Sequence, residues 1–184
     1  MNTKSATAII NDWPEDSREA AQIVLDTYGE PDEAADSLLI WHKAGPWKRV
    51  EASRTFHEHA FPAPHIDSVL SVLDYRVPAE KFTALAQFDG SVIAERTTGE
   101  LSARCHDEQA NFLALNLVHD IVTGNKTVEE ARRYYAKEFL DARRGRPTPY
   151  MEKLRFAQSS EPTPDADERM LSDKDLERAA AEGQ

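Results

Sequence analysis

Cysteine is almost absent from this sequence of 184 residues, which contains only Cys105. A single thiol excludes an internal disulfide and fits a reducing compartment. Long hydrophobic runs are missing too, and the amino terminus lacks the basic-then-apolar pattern of a secretory signal. We therefore expect a cytoplasmic protein with no membrane segment.

Basic side chains are also scarce: 22 Lys and Arg face 33 Asp and Glu, for a net charge of −11. A surface that neutralises phosphates needs excess positive charge, so non-specific nucleic-acid binding is not expected. The charge is unevenly divided, because residues 132–155 carry eight basic and three acidic side chains and residues 159–184 carry three and eight. This division indicates a solvated basic helix face followed by a disordered acidic tail. Alternatively, the tail folds back over the basic patch and competes with an anionic partner.

Common catalytic motifs are missing as well. The sequence has no phosphate-binding glycine loop, no nucleophile elbow, no HExxH and no paired-cysteine metal motif. Candidate functional residues must therefore be sought one at a time.

The most informative segment that is present is a strongly apolar helix over residues 107–123. Asp107 is a suitable N-cap and Gly124 a suitable C-terminal stop. A helix with so much apolar circumference is covered on most sides, so we place it at the centre of the core. The side chains expected to face water are Gln109, Asn116 and Asp120. Asn111 falls on the apolar arc and needs hydrogen-bond partners, so it either ties a strand to the core or orients a ligand.

The remaining elements are read from hydrophobic periodicity and from Gly and Pro positions. The sequence predicts helices over 16–28, 78–88 and from Thr127 to before Gly145, hairpins over 37–54 and 91–105, and a strand over 69–77. This order predicts an α+β fold, with an antiparallel sheet of about five strands, two hairpins plus one strand, packed against the central helix and further helices.

The domain organisation follows from the same patterns. We expect a flexible N-terminus over residues 1–12, one α+β domain over 13–146, and a packed or partly ordered extension over 147–158. Residues 159–184 are expected to form an acidic disordered tail with a transient helix at 173–181.

Residues 55–68, TFHEHAFPAPHIDS, have the most unusual composition in the chain. The prolines predict a stiff extended loop or sheet edge. In extended chain His57 and His59 point to one side, and His65 and Asp67 repeat that spacing. Three imidazoles and a carboxylate suit Zn²⁺ or another divalent ion with an open position for water, as in a hydrolase. Alternatively, these are ordinary loop residues that hydrogen-bond to backbone carbonyls.

Cys105 is a second candidate. A thiol near a helix N-terminus has a lowered pKa, and the adjacent His106 could assist it as a nucleophile. However, Cys105 shares a strand face with Leu101 and Ala103, which favours a buried and unreactive thiol.

Several runs in the sequence resemble those of a family of bacterial conserved hypothetical proteins. These runs are GPWKR from Gly45, HAFPAPHID from His59, DGSVIAERTTGELSARC from Asp89, NFLALNLVHDIVTG from Asn111 and TVEEAR from Thr127. The resemblance covers roughly residues 17–140. It implies a bacterial cytoplasmic origin and a single domain, and it implies no catalytic residue.

Two functional hypotheses follow from the sequence. The first is a non-enzymatic binding or interaction module, with a protein or small-molecule partner and a homodimer as one form. Its expected partner surface consists of Arg132, Arg133, Arg143 and Arg144. The second is a metal-dependent hydrolase of the zinc type that uses His57, His59, His65 and Asp67.

Overall fold

A computed structural model of the chain describes residues 5–158, 165 and 167–183. The described helices are α1 (Ala6–Ile10), α2 (Glu15–Tyr28), α3 (Phe82–Phe88), α4 (Glu108–Thr123), α5 (Val128–Arg143), α6 (Pro149–Glu152) and α7 (Asp173–Glu182), with a 3-10 turn at Ala79–Lys81. The strands are β1 (Glu33–Ala35), β2 (Leu38–His42), β3 (Arg49–His59), β4 (His65–Asp74), β5 (Val92–Glu95) and β6 (Glu100–Cys105).

The strands form one antiparallel sheet in the order β1-β2-β3-β4-β6-β5. The predicted α+β class is confirmed, but the described sheet has six strands rather than about five. The additional strand is β1, whose three residues are all exposed. A strand without buried residues has no apolar alternation, so periodicity gives no signal for it.

The histidine-rich segment is mostly strand, so of the two expectations, an extended loop or a sheet edge, the loop is wrong. β3 continues to His59 and β4 begins at His65, which leaves only residues 60–64 as the turn. Pro62 and Pro64 both fall within this turn, where their missing N–H groups do not interrupt the ladder of hydrogen bonds. The two prolines therefore lie where β3 and β4 end, and they do not prevent these strands from forming.

Helix α4 forms the centre of the core, as predicted. The Asp107 side chain caps it by accepting a hydrogen bond from the Ala110 N–H at 2.8 Å, and Gly124 ends it with a φ of 79°. Leu117 is 0 % exposed and Ile121 is 3 % exposed. The helix predicted from Thr127 is also present as α5, and Thr127 is its N-cap in a capping box with Glu130.

The prediction that Asn116 and Asp120 face water is wrong, because the chain after α5 returns to cover them. The Asn116 side chain donates to the carbonyls of Tyr150 and Lys153 at 2.9 and 2.8 Å, and its oxygen accepts from the Arg155 N–H at 2.7 Å. Asp120 accepts a hydrogen bond from the Tyr150 hydroxyl at 2.9 Å. The polar stripe of α4 therefore holds the extension 147–158 in place.

The helices at the two ends of the chain differ in how far they are buried. Helix α1 lies in the segment expected to be flexible, yet its Ile9 and Ile10 are buried. Helix α7 has no buried residue, and residues 159–164, 166 and 184 of the expected acidic tail lie outside the described residues. In the part of the chain that the structure covers, no helix is long and apolar enough to cross a membrane.

We expect Leu117→Ala to lower the free energy of unfolding by about 2–5 kcal/mol, because it opens a cavity beneath a fully buried side chain. Leu140→Ala is the matched control, since Leu140 is 47 % exposed and should change the value by less than about 1 kcal/mol. Urea unfolding of both variants measures the difference. Equal effects would contradict the central position of α4.

Candidate metal centre

The β3–β4 hairpin brings three potential metal ligands together. His59 and His65 lie directly opposite each other in the antiparallel ladder, and Asp67 lies two residues further along β4. Residues directly opposite have side chains on the same face of a sheet. One ligand atom from each of His59, His65 and Asp67 lies within 4.8 Å of the other two.

Asp67 is at the centre of this cluster, and only 1 % of the residue is exposed. Its Oδ2 accepts a hydrogen bond from the Ser91 hydroxyl and lies 3.1 Å from His59 Nδ1. Its Oδ1 lies 3.0 Å from His65 Nε2, but it accepts no well-aligned hydrogen bond. One buried carboxylate oxygen, Oδ1, is therefore left beside His65 Nε2.

His65 is oriented as metal-ligating histidines are. Its Nδ1 lies 2.9 Å from the Ala63 carbonyl oxygen, so this nitrogen carries the proton and donates it. In the neutral ring Nε2 then has a free lone pair, and this nitrogen lies 3.0 Å from Asp67 Oδ1. The Asp67 carboxylate raises the pKa of His65, and partial burial opposes that increase. A proton or a metal ion can satisfy Nε2, and a backbone carbonyl behind the other nitrogen is typical of metal sites.

His59 lies between two carboxylates. Its Nδ1 faces Asp67, and its Nε2 lies 3.8 Å from Asp89 Oδ1. Asp89 is itself buried and accepts a hydrogen bond from the Ser91 N–H at 2.8 Å. Burial raises the pKa of the Asp89 carboxyl group. A carboxylate beyond a ligating imidazole orients the ring and increases its basicity, so Asp89 is placed to support His59 as a ligand.

Asp89 and Ser91 are residues next to the cluster that the sequence did not reveal. Asp89 follows α3, where an Asp-Gly pair indicates only a helix end. A signal for the pairing of His59 with His65 did exist, because both positions are equally distant from Pro62. A hairpin centred on that proline places them opposite each other.

Electrostatics supports a positive ion at this position. Asp67 and Asp89 each have side chains that are 1 % exposed. In the described chain, the only ion-pair partners of these two carboxylates are His59 and His65. Because uncompensated buried charge is costly, any negative charge on these two carboxyl groups favours protonated imidazoles or a divalent cation beside them.

The cluster lies beside an open groove of about 550 Å³. The groove is lined by Glu58, His59, Ala60, Pro64, His65 and Ile66. Two imidazole nitrogens and one carboxylate oxygen, with remaining positions open to water, form the ligand set of catalytic zinc sites and of non-haem iron sites. The arrangement can therefore hold an ion and leave it accessible to a small molecule.

His57 is not part of the cluster, so the structure brings together only three of the four predicted ligands. It is exposed and lines a separate groove together with Glu51, Ser68 and Arg104. The ladder between β3 and β4 changes register between Ala52 and His57. From His57 to His59 the ladder is regular, with His57 opposite Asp67, so the strand register does not account for the separation of His57 from the cluster.

Asn111 and Cys105, the two other candidate residues, are both buried in the core. The Asn111 amide donates to the Val69 carbonyl at 3.1 Å and to the Ser71 hydroxyl at 2.9 Å, so it ties α4 to β4. Cys105 is buried, and its sulfur lies 3.8 Å from the Tyr135 hydroxyl. Burial raises the pKa of this thiol, and the Asp89 and Asp67 carboxylates add to the increase. Both the position and the pKa argue against a nucleophilic role.

No family model, curated protein or solved structure matches this chain. The resemblance to bacterial conserved hypothetical proteins therefore stays a prediction. The case for a function rests on the geometry of His59, His65 and Asp67.

We expect Cys105 to resist a thiol reagent in the native protein and to react fully after unfolding in urea, because it is buried and held as the neutral thiol. Ala179→Cys, in exposed α7, provides the control and should react at once. Reaction is followed by the absorbance of the released thiolate. Fast labelling of native Cys105 would contradict its assignment as an unreactive core residue.

Proposed function

We propose that this chain binds one divalent metal ion of the zinc type through His59, His65 and Asp67 and uses it in a hydrolytic reaction. The observation that carries the proposal is the buried Asp67 Oδ1, which lacks an aligned hydrogen bond and lies 3.0 Å from His65 Nε2. Buried carboxylate oxygens are normally paired, so this atom points to a missing partner.

The surroundings of each ligand support a metal ion over a simple ion-pair cluster. The Ala63 carbonyl fixes the tautomer of His65, and Ser91 holds the other oxygen of Asp67. Asp89 lies behind His59. These three contacts leave His65 Nε2, Asp67 Oδ1 and His59 Nδ1 as the coordinating atoms. Around a tetrahedral zinc ion with bonds of about 2.0 Å, ligand atoms are about 3.3 Å apart. The distance of 3.0 Å between His65 Nε2 and Asp67 Oδ1 is close to this value, and one ligand atom from each of the three residues lies within 4.8 Å of the other two.

The chemistry that such a site supports is hydrolysis of a polarised carbonyl or similar group. When bound, a zinc ion lowers the pKa of a coordinated water to about 7 and polarises a substrate oxygen. The residues of the chain hold the ligands in one geometry, and the groove beside His59 and His65 admits substrate. Asp89 and Ser91 are positioning residues, since they act through His59 and Asp67.

We expect protein purified without an affinity tag to bind about one equivalent of Zn²⁺, measured by elemental analysis and by competition with a chelator. His65→Ala and Asp67→Asn each remove a ligand and should abolish tight binding. Asp89→Asn should weaken affinity about 10- to 100-fold, because it removes only the support of His59. Any esterase activity should require the metal.

His57→Ala is the matched control for this experiment, because His57 lies two residues from His59 and outside the cluster. Its metal content should equal that of the original protein. Circular dichroism checks that every variant is folded. Absence of bound metal, or equal metal content in His65→Ala, would reject the proposal.

A second proposal is that the chain is a non-enzymatic interaction module that forms a homodimer through its tail. Large apolar side chains in and before α7 support it: Met170 is 91 % exposed, Leu171 57 % and Leu176 50 %. An amphipathic helix without a covering surface gains stability by pairing its apolar face. This proposal requires neither the metal nor the arginines of α5.

Sedimentation equilibrium tests the dimer. We expect the double variant Leu171→Ser, Leu176→Ser to raise the dimer dissociation constant at least about 100-fold, because each Leu contributes about 1.5–3 kcal/mol when buried. Ile23→Ser is the control, since Ile23 is 43 % exposed on α2. A monomer at all concentrations, or an unchanged dimer in the double variant, would exclude this mode of association.

A further inference from the structure

A second cavity adjoins the candidate metal centre. It has a volume of about 210 Å³ and lies between α4, α5 and α6. Its apolar lining is formed by Ala110, Tyr135, Phe139, Ala142 and Met151. A cavity of about 150 Å³ is large enough to hold benzene, so a phenyl-sized group fits this one.

His65 connects this pocket with the metal centre. Its ring lines both the apolar pocket and the open groove beside His59. The centroid of the His65 ring lies 6.5 Å from that of Phe139, whose side chain forms part of the pocket wall. A small molecule held by a donor atom next to His65 Nε2 therefore has an apolar pocket within reach of its adjoining group.

The polar rim of the pocket limits the kind of molecule that enters. The Arg143 guanidinium lies over the Phe139 ring at 3.5 Å from its centroid and donates one hydrogen bond to the Phe139 carbonyl. The Asp107 carboxylate is occupied as the cap of α4. His106 and Gln109 complete the rim. Arg143 has further N–H donors, so the rim favours a ligand with oxygen acceptors near its apolar group.

We infer that the pocket between α4, α5 and α6 binds the apolar group of a small aryl or short-chain acyl compound whose oxygen atoms coordinate the metal beside His65. The ligand class is therefore aryl or acyl carboxylates, esters and hydroxamates with an apolar group of about phenyl size. This inference rests on the metal site proposed above. It adds the substrate class to that site.

Two hydroxamates with the same chelating group test the inference. Benzohydroxamic acid carries a phenyl group and acetohydroxamic acid a methyl group, and their binding to zinc-loaded protein is measured by calorimetry. We expect the phenyl compound to bind about 10- to 100-fold tighter, because its ring is buried in the pocket. Ala110→Leu fills the pocket and should remove this preference, whereas Ala179→Leu, on exposed α7, should retain it.

Two additional measurements separate the pocket from the metal. Zinc content is determined for each variant, and Ala110→Leu should bind as much zinc as the original protein. Fluorobenzene, followed by fluorine NMR, reports on the pocket without any metal and should bind to the original protein and not to Ala110→Leu. Met151→Ala removes a different wall of the pocket and should also reduce the preference for the phenyl compound. This second variant keeps the test valid if Ala110→Leu fails to fold.

The outcomes are distinguishable. Equal affinity for both hydroxamates with normal zinc binding would overturn the pocket and leave the metal site standing. Fluorobenzene binding without any zinc binding would reject the metal site, and with it the assigned ligand class, while showing that the pocket accepts an aryl group. Retention of the phenyl preference in Ala110→Leu would also overturn the inference.

Discussion

The free-energy cost of burying the carboxylates of Asp67 and Asp89 constrains the structure around the candidate metal centre. Asp67 and Asp89 are both nearly inaccessible to solvent, and removing a carboxylate from water costs several kcal/mol unless other groups compensate. The compensating groups come from separate parts of the chain: the two histidines from β3 and β4, and Ser91 from the start of the β5–β6 hairpin. The hairpin arm, the end of α3 and the strand that follows must therefore meet at one point.

The same constraint explains why His65 has such a defined orientation. The Ala63 carbonyl holds one nitrogen of the ring within the turn of its own hairpin, and Asp67 faces the other. His65 lines both the open groove and the apolar pocket. A polar reaction centre next to an apolar recess is the usual composition of a small-molecule site. In the proposed function, His65 is thus the residue that connects metal binding with ligand recognition.

The core could be predicted from sequence because its signals are local. The apolar circumference of α4 and the capping box at Thr127 lie within single segments. Contacts between distant residues gave no such signal. Asn116 is paired with groups 34 to 39 residues away, which is why a polar stripe was expected to face water. Asp89 comes within 3.8 Å of His59 only when β3, β4 and α3 are packed together. No local sequence pattern near either residue predicts this proximity.

The basic face of α5 shows how charge counts can mislead about function. Arg132 belongs to the expected partner surface, yet its guanidinium donates hydrogen bonds to the carbonyls of Gln87 and Phe88 and lies 3.8 Å from the centroid of the Phe61 ring. Phe61 in turn packs on Tyr135, which lines the apolar pocket. Arg132 therefore supports the wall of the apolar pocket, so an effect of its neutralisation could not be assigned to a partner surface alone. Arg133, which pairs only with Glu129 among the described residues, is the better probe of a partner surface, because its loss leaves that wall intact.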